Sequence, residues 1–307
     1  MNTRKEYYID GNLAFKTAKV RDDVIIYNGF DGLKTFDELT FSNNFIFCKV
    51  MEDNEDLCRE MLEMILGMKL SEIHIRKEVV VDPVIDARGT RLDIMVIDEK
   101  GSVYDIEMQA RDEHNLPRRT RHLQGILDTD AIEKGAMIDD LPMSYVIFIA
   151  TFDPYDKGLH KYTFKNLCVE DKNLELGDDA TKIVLSTKGT ADDVSPEMKE
   201  FLAYVAGSMP KSDFTQKIDK AVGRTKRSRK MRREYMTLEM YGRELSHKAR
   251  LEGRKEGIEI GLEQGIEQSL LDSIGKLITK QGLSPEEACR ILDYPLEKYY
   301  AAEGQEE

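Results

Sequence analysis

Residues 91–109 read RLDIMVIDEKGSVYDIEMQ, and the fold turns on this stretch. Two β-rich runs flank DEKGS, whose turn-forming residues predict an antiparallel hairpin. Side chains alternate across a strand, so parity sorts the residues into two faces. Leu92, Ile94, Val96, Tyr104, Ile106 and Met108 make one apolar face that must pack on something. Asp93, Met95, Ile97, Val103, Asp105, Glu107 and Gln109 make the other. With a loop at 99–101, or at 98–102, Asp93 falls directly across from Glu107, their Cβ atoms roughly 5 Å apart. Gln109 follows one pleat further along the same face. Two carboxylates that close repel unless one is protonated or a cation lies between them, which outlines a divalent-metal site. The plain alternative is a half-exposed hairpin whose polar face is simply solvated.

Asp93, a turn, then Glu107-Met108-Gln109 resembles the D…ExQ variant of the PD-(D/E)XK nuclease signature, in particular the PD-(D/E)XK nuclease family transposases, also called Rpn-type recombination-promoting nucleases. The similarity extends to both sides. FSNNFIFCKVM and a following ILG helix lie upstream; NLPRRTRHLQGILDTDAIEKG, the strand in SYVIFIATFDPYDKG and MRREYMTLEM lie downstream. It spans about residues 36–245 in order, far more than three active-site letters. The resemblance implies a restriction-endonuclease-like α/β/α core with a mixed central sheet, followed by an α-helical C-terminal tail. It also implies Mg²⁺, with Mn²⁺ as an alternative, held by Asp93, Glu107 and the backbone carbonyl of Met108. Gln109 stands where most of the superfamily has lysine; an amide can orient water but supplies neither positive charge nor a base. The family commonly carries an acid near Asn44, where this chain has an amide.

The chain has 307 residues, enough for one large or two modest domains with a real core. Its net charge of −13 argues against a surface coated for DNA binding, though not against a local basic site. Cys48, Cys58, Cys168 and Cys289 are scattered without a CxxC pair, and the five histidines show no zinc spacing. These features predict reduced thiols and a cytoplasmic location. No apolar run approaches the ~20 residues of a membrane span.

Residues 1–35 are weakly patterned and form an N-terminal arm with no assigned function. The nuclease-like core is placed at 36–212. Within it, Leu57, Met61, Met64 and Ile65 recur at helical spacing and Gly67 closes the helix. Glu60 and Glu63 on that helix are candidate extra acids, or solvated ones. Pro83 in EVVVDPVID marks an edge strand or strand end. After Gln109, Asn115 is a candidate cap for a helix carrying Leu116, Leu123, Ile126, Leu127 and Ile132. Arg118, Arg119 and Arg121 in its first turns are candidate DNA contacts, suited to bidentate grip of phosphates; a solvated helix face is the alternative. His122 reads as a packing or surface histidine. YVIFIA is a continuous apolar run of strand length, buried on both faces.

A basic helical segment follows at 213–250. Residues 217–233 hold nine Lys or Arg and a single acid, Asp219, a patch fit either for a DNA backbone or for acidic faces within the chain. The last segment, 251–307, begins with Gly253, Gly257, Gly261 and Gly265, followed in step by Ile258, Leu262 and Ile266. A four-residue period drifts ~40° per repeat on an α-helix and leaves a slowly spiralling groove. This predicts a helix over 250–271 that docks another helix, in the same chain or in a homo-oligomer, with a charged linker as the alternative. Ser284-Pro285-Glu286-Glu287 then supplies an N-cap, a proline at N1 and a capping-box glutamate. This compact helical end looks like the small helix-turn-helix-like tail that many relatives carry.

The resemblance implies a metal-dependent DNA endonuclease that hydrolyses phosphodiester bonds, acting in recombination or on mobile or foreign DNA. The reading from another class is a catalytically inactive nuclease fold that works as a nucleic-acid-binding or toxin-like interaction protein.

Overall fold

The computed structural model describes residues 34–76, 90–132 and 137–304, together with short strand pieces at 8–9, 12–13 and 80–81. Pro83 and most of the N-terminal arm lie outside the described residues. The chain divides into two compact units, Met1–Gly242 and Arg243–Glu307.

The first unit is built on a six-stranded sheet. Its strands are β3 (Ile73–Arg76), β6 (Ile94–Asp98), β7 (Val103–Gln109), β8 (Ser144–Ala150), β9 (Lys161–Phe164) and β10 (Ala180–Ser186), in the order β3-β6-β7-β8-β10-β9. The short pairs β1 (Tyr8–Ile9) with β2 (Asn12–Leu13), and β4 (Val80–Val81) with β5 (Thr90–Arg91), form separate antiparallel ladders. β7, β8 and β10 run parallel, while β3, β6 and β9 are antiparallel to their neighbours, so the sheet is mixed. The expected hairpin is β6–β7, with Ile94 opposite Ile106 and Ile97 opposite Val103. Gly101 takes φ +83° in its turn, and the Asp98 carboxylate accepts the N–H groups of Lys100 and Ser102.

Parity divides the core as the sequence implies. Ile94, Val96, Tyr104, Ile106 and Met108 join Ile147, Ile149, Ile183 and Leu185 in one cluster. Helices α1 (Asn44–Glu52), α2 (Glu55–Leu66), α4 (Pro196–Val205) and α5 (Asp213–Arg227) cover it. The other face packs Met95, Val103, Val146, Phe148 and Val184 against Leu116, Leu123, Ile126 and Leu127 of α3 (Leu116–Ala131). This is an α/β/α sandwich, and β7 is buried along its whole length, so its acidic face is not a wet one.

Two details differ from the sequence reading. Leu92 packs in the α3 cluster, not with Ile94 and Val96. The chain bends at Asp93, whose N–H turns to the Glu107 side chain, and strand alternation fails there. Asn115 precedes α3 without capping it; its side-chain amide bonds the Glu113 carboxylate instead. Elsewhere the local signals hold: Asn43 caps α1 by accepting from the Phe45 and Ile46 N–H groups, and Gly67 ends α2 in the left-handed conformation.

Some basic residues of α5 and of the start of α6 (Arg229–Gln281) bond within the first unit, while Lys220, Arg227, Arg229, Lys230 and Arg233 are exposed. Arg232 grips Asp37 with both terminal nitrogens, Lys226 donates to the Leu39 carbonyl, and Arg224 donates to Asn54. In the second unit α6 packs with α7 (Pro285–Ile291) and α8 (Leu296–Glu303) around Ile274, Ala288, Cys289, Tyr294 and Tyr299. Ser284 and Glu287 form the expected capping box. Gly253, Gly257, Gly261 and Gly265 lie within α6 with open space where a Cβ would stand, and Ile258, Leu262 and Ile266 are exposed. No helix among the described residues is long and apolar enough to cross a membrane.

Candidate functional site

Asp93 and Glu107 meet at the mouth of the β6–β7 ladder through reciprocal backbone bonds. The Asp93 N–H donates to Glu107 Oε1 at 3.1 Å, and the Met108 N–H donates to Asp93 Oδ2 at 3.1 Å. Each carboxylate is thus held by the main chain beside the other. A sharper turn of the chain at Asp93 makes this clasp possible, because the residue has left the ladder and freed its N–H. Asp93 Oδ2 also accepts from the Asn44 amide at the first residue of α1, and the Asp93 carbonyl accepts from the Cys48 thiol at 3.4 Å. The Asn44 amide therefore steadies Asp93.

The α3 side supplies the cation. Arg119 bonds Glu107 Oε2 through one terminal nitrogen and Gln109 Oε1, at 2.8 Å, through the other. Its guanidinium stands 5.7 Å from the Phe148 ring centroid, and Phe148 is the β8 neighbour of Glu107. Gln109 completes the frame by donating to the Arg111 carbonyl at 2.8 Å. Arg119 is thus built into the site, whereas Arg118 and Arg121 are exposed on α3, as is His122. Glu63 is occupied by Lys69 and the Leu70 N–H, and Glu60 lies 3.7 Å from Lys217.

Asp105 joins these residues from two positions earlier on β7. It is completely buried, and neither carboxylate oxygen has a hydrogen-bond partner. Burial first, then the charges at Glu107 and Asp93, push its carboxyl well above the ordinary range, against the pull of Arg119. Burial and then Asp93 likewise push Glu107 up, to about 8, opposed by Arg119 and by the Asp93 N–H. The crowding of three acids thus favours the proton on Asp105 and on Glu107, against the pull of Arg119. Strand parity places Asp105 on this face, but only the cover of α3 reveals that it is dry.

The oxygen donors here, two carboxylates and an amide, suit a hard divalent cation such as Mg²⁺ or Mn²⁺. Arg119 already bridges Glu107 and Gln109 as a cation would. Among the described residues no three His, Cys, Asp or Glu side chains are gathered closely enough to enclose an ion.

A mixed sheet between helices, with one acid entering the central hairpin and an acid–x–amide on its partner strand, defines a PD-(D/E)XK nuclease-like fold. The family model described as PD-(D/E)XK nuclease family transposase matches residues 42–185, and over this segment the chain is similar to that family. The match runs from the turn before α1 into β10 and so contains every residue of the site. No curated protein and no solved structure matches the chain.

Proposed function

We propose that the protein is a metal-dependent DNA endonuclease that hydrolyses phosphodiester bonds, of the Rpn type, acting in recombination or on mobile or foreign DNA. The observation that carries this reading is the clasp of Asp93 and Glu107, in which the Asp93 N–H holds the Glu107 carboxylate and the Met108 N–H holds that of Asp93, in a site whose burial raises Glu107. Asp93, Glu107 and the Met108 carbonyl would hold Mg²⁺ or Mn²⁺. When bound, the ion lowers the pKa of a ligated water and offsets charge on the phosphoryl oxygens. The chain's own groups do the rest. Asn44 and the Met108 N–H keep Asp93 aimed. Arg119 moves from bridging Glu107 and Gln109 to the phosphoryl oxygens, supplying the charge that a lysine at Gln109 would otherwise bring. Exposed Arg118 and Arg121 take flanking phosphates. The four free cysteines suit the reducing cytoplasm. Self-association through the exposed row of Ile258, Leu262 and Ile266 on α6 belongs to the same reading.

Plasmid nicking with and without Mg²⁺ tests it. The wild-type chain should nick only with the metal, and Asp93→Asn should lose at least about a hundredfold in rate, as expected when one of two carboxylate ligands is removed. A folded wild-type chain that cuts no DNA with either Mg²⁺ or Mn²⁺ would instead favour the inactive, nucleic-acid-binding reading.

A further inference from the structure

The carboxyl ends of the three parallel strands β7, β8 and β10 open onto a cavity of about 330 Å³. Its lining starts where each strand stops: Arg111 just past β7, Thr151 after β8, and Thr187 and Lys188 after β10. Ser42 and Asn43, ahead of α1, form the facing wall. In open α/β sheets the crevice beyond the carboxyl ends of the strands is the usual place for a ligand.

The chemistry of this lining is selective. In a chain of net charge −13 it contains cations and hydroxyls, and no carboxylate among the described residues. Thr151 Oγ1 is occupied, donating to the Ala110 carbonyl at 2.9 Å, and the Asn43 side chain is occupied by its cap. Thr187 differs: its hydroxyl oxygen is buried and has no hydrogen-bond partner. Buried hydroxyls are nearly always bonded, so one without a partner on a residue lining a polar cavity leaves a hydrogen bond to be made. Lys34, Arg111 and Lys188 beside a hydroxyl donor match an anionic oxygen cluster, for which charge-assisted bonds are strongest. The cavity also shares α1 with the acidic site, since Asn43 lines it while Asn44 bonds Asp93.

We propose that this crevice binds a phosphate group, with Arg111 and Lys188 supplying the charge and Thr187 a buried hydrogen bond. In the nuclease reading, on which the origin of the phosphate rests, the group belongs to the nucleic acid: either a 5′-terminal phosphomonoester or an internal phosphodiester of the strand crossing the Asp93–Glu107 edge.

Binding measured in EDTA, where cleavage is silent, separates this proposal from the activity itself. A short DNA oligonucleotide carrying a 5′-phosphate, the same oligonucleotide with a 5′-hydroxyl, and inorganic phosphate are each titrated against the full chain. The variants are Thr187→Val and the double variant Arg111→Gln/Lys188→Gln. The double variant should lose at least about tenfold in affinity for DNA, as two charge-assisted contacts disappear. Thr187→Val should weaken binding severalfold without lowering the melting temperature, because the buried hydroxyl bonds nothing in the free protein. A loss confined to the 5′-phosphorylated strand and inorganic phosphate identifies a terminal phosphomonoester; an equal loss on both strands identifies an internal phosphodiester. Thr187→Val alone carries the test if the double variant does not fold. Binding of all three probes within twofold of wild type by the folded variants would overturn the crevice, even if the protein nicks plasmid. Variant-sensitive phosphate binding in a protein that cuts no DNA would instead retain the crevice and overturn the nuclease reading.

Discussion

Asp105 carries the clearest energetic signature of a single residue here. Its carboxyl is wholly buried without a hydrogen bond, and it favours the proton strongly. A group whose folded pKa lies above its unfolded value binds more protons in the native state. Stability is then present at low pH and falls as pH rises above the unfolded pKa, by up to about 1.4 kcal/mol per pH unit. Asp105→Asn removes that slope. The melting temperature of the variant relative to wild type should therefore climb between pH 5 and pH 8.5 in metal-free buffer, and a constant offset across that range would contradict the burial argument. Gln109→Lys tests the neighbouring amide. Gln109 Oε1 accepts from Arg119 and its amide donates to the Arg111 carbonyl, so a lysine there loses both bonds and sets a second cation beside the guanidinium. The variant should fold with a lower melting temperature and should nick plasmid more slowly than wild type; wild-type rates would show that the amide merely fills the place of the usual lysine.

At the scale of elements, the hairpin was legible because its information is local. A turn between two alternating runs fixes the register, and Ile94 does pair with Ile106. Leu92 departs from the parity reading because alternation ends at the bend at Asp93, whose partners Glu107, Met108 and Asn44 are all distant in sequence. Arg119 stood out in the sequence as one of three arginines, but nothing local distinguishes it from exposed Arg118 and Arg121; packing of α3 on the sheet selects it. The glycine period of α6 marks a continuous helix, yet what lies against it was not legible. Each glycine there has room for a methyl group. Replacing both Gly257 and Gly261 with Ala should raise helicity and stabilise the helix by about 1 kcal/mol per site in the single chain. Sedimentation of the same variant shows whether the groove is used. A mass that falls from a multiple to that of one chain, despite higher helicity, means a partner helix needed the space, whereas an unchanged mass returns the segment to the linker reading.

For the molecule as a whole, the sandwich spends stability to keep Asp105 and Glu107 within a buried strand and Asp93 beside them. Asp93 and Asp105 repel Glu107, which Arg119 grips, and burial raises Glu107 to about 8. A divalent ion binding there must displace the Glu107 proton and draw the carboxylate from Arg119, so affinity should rise with pH. Binding to the native state alone raises stability by RT ln(1 + [L]/Kd), which makes the melting temperature a measure of occupancy independent of any cleavage. At a fixed millimolar Mg²⁺ or Mn²⁺ concentration, the upward shift in melting temperature should grow from pH 6.5 to pH 8.5, the span across which Glu107 gives up its proton. Asp93→Asn should shrink the shift at every pH. Glu107→Gln should also shrink it and should flatten its pH dependence, because the titrating ligand is gone. Wild-type protein whose melting is indifferent to both metals throughout this range would mean that Arg119 is the permanent occupant of the site, and that the fold is kept for binding and not for hydrolysis.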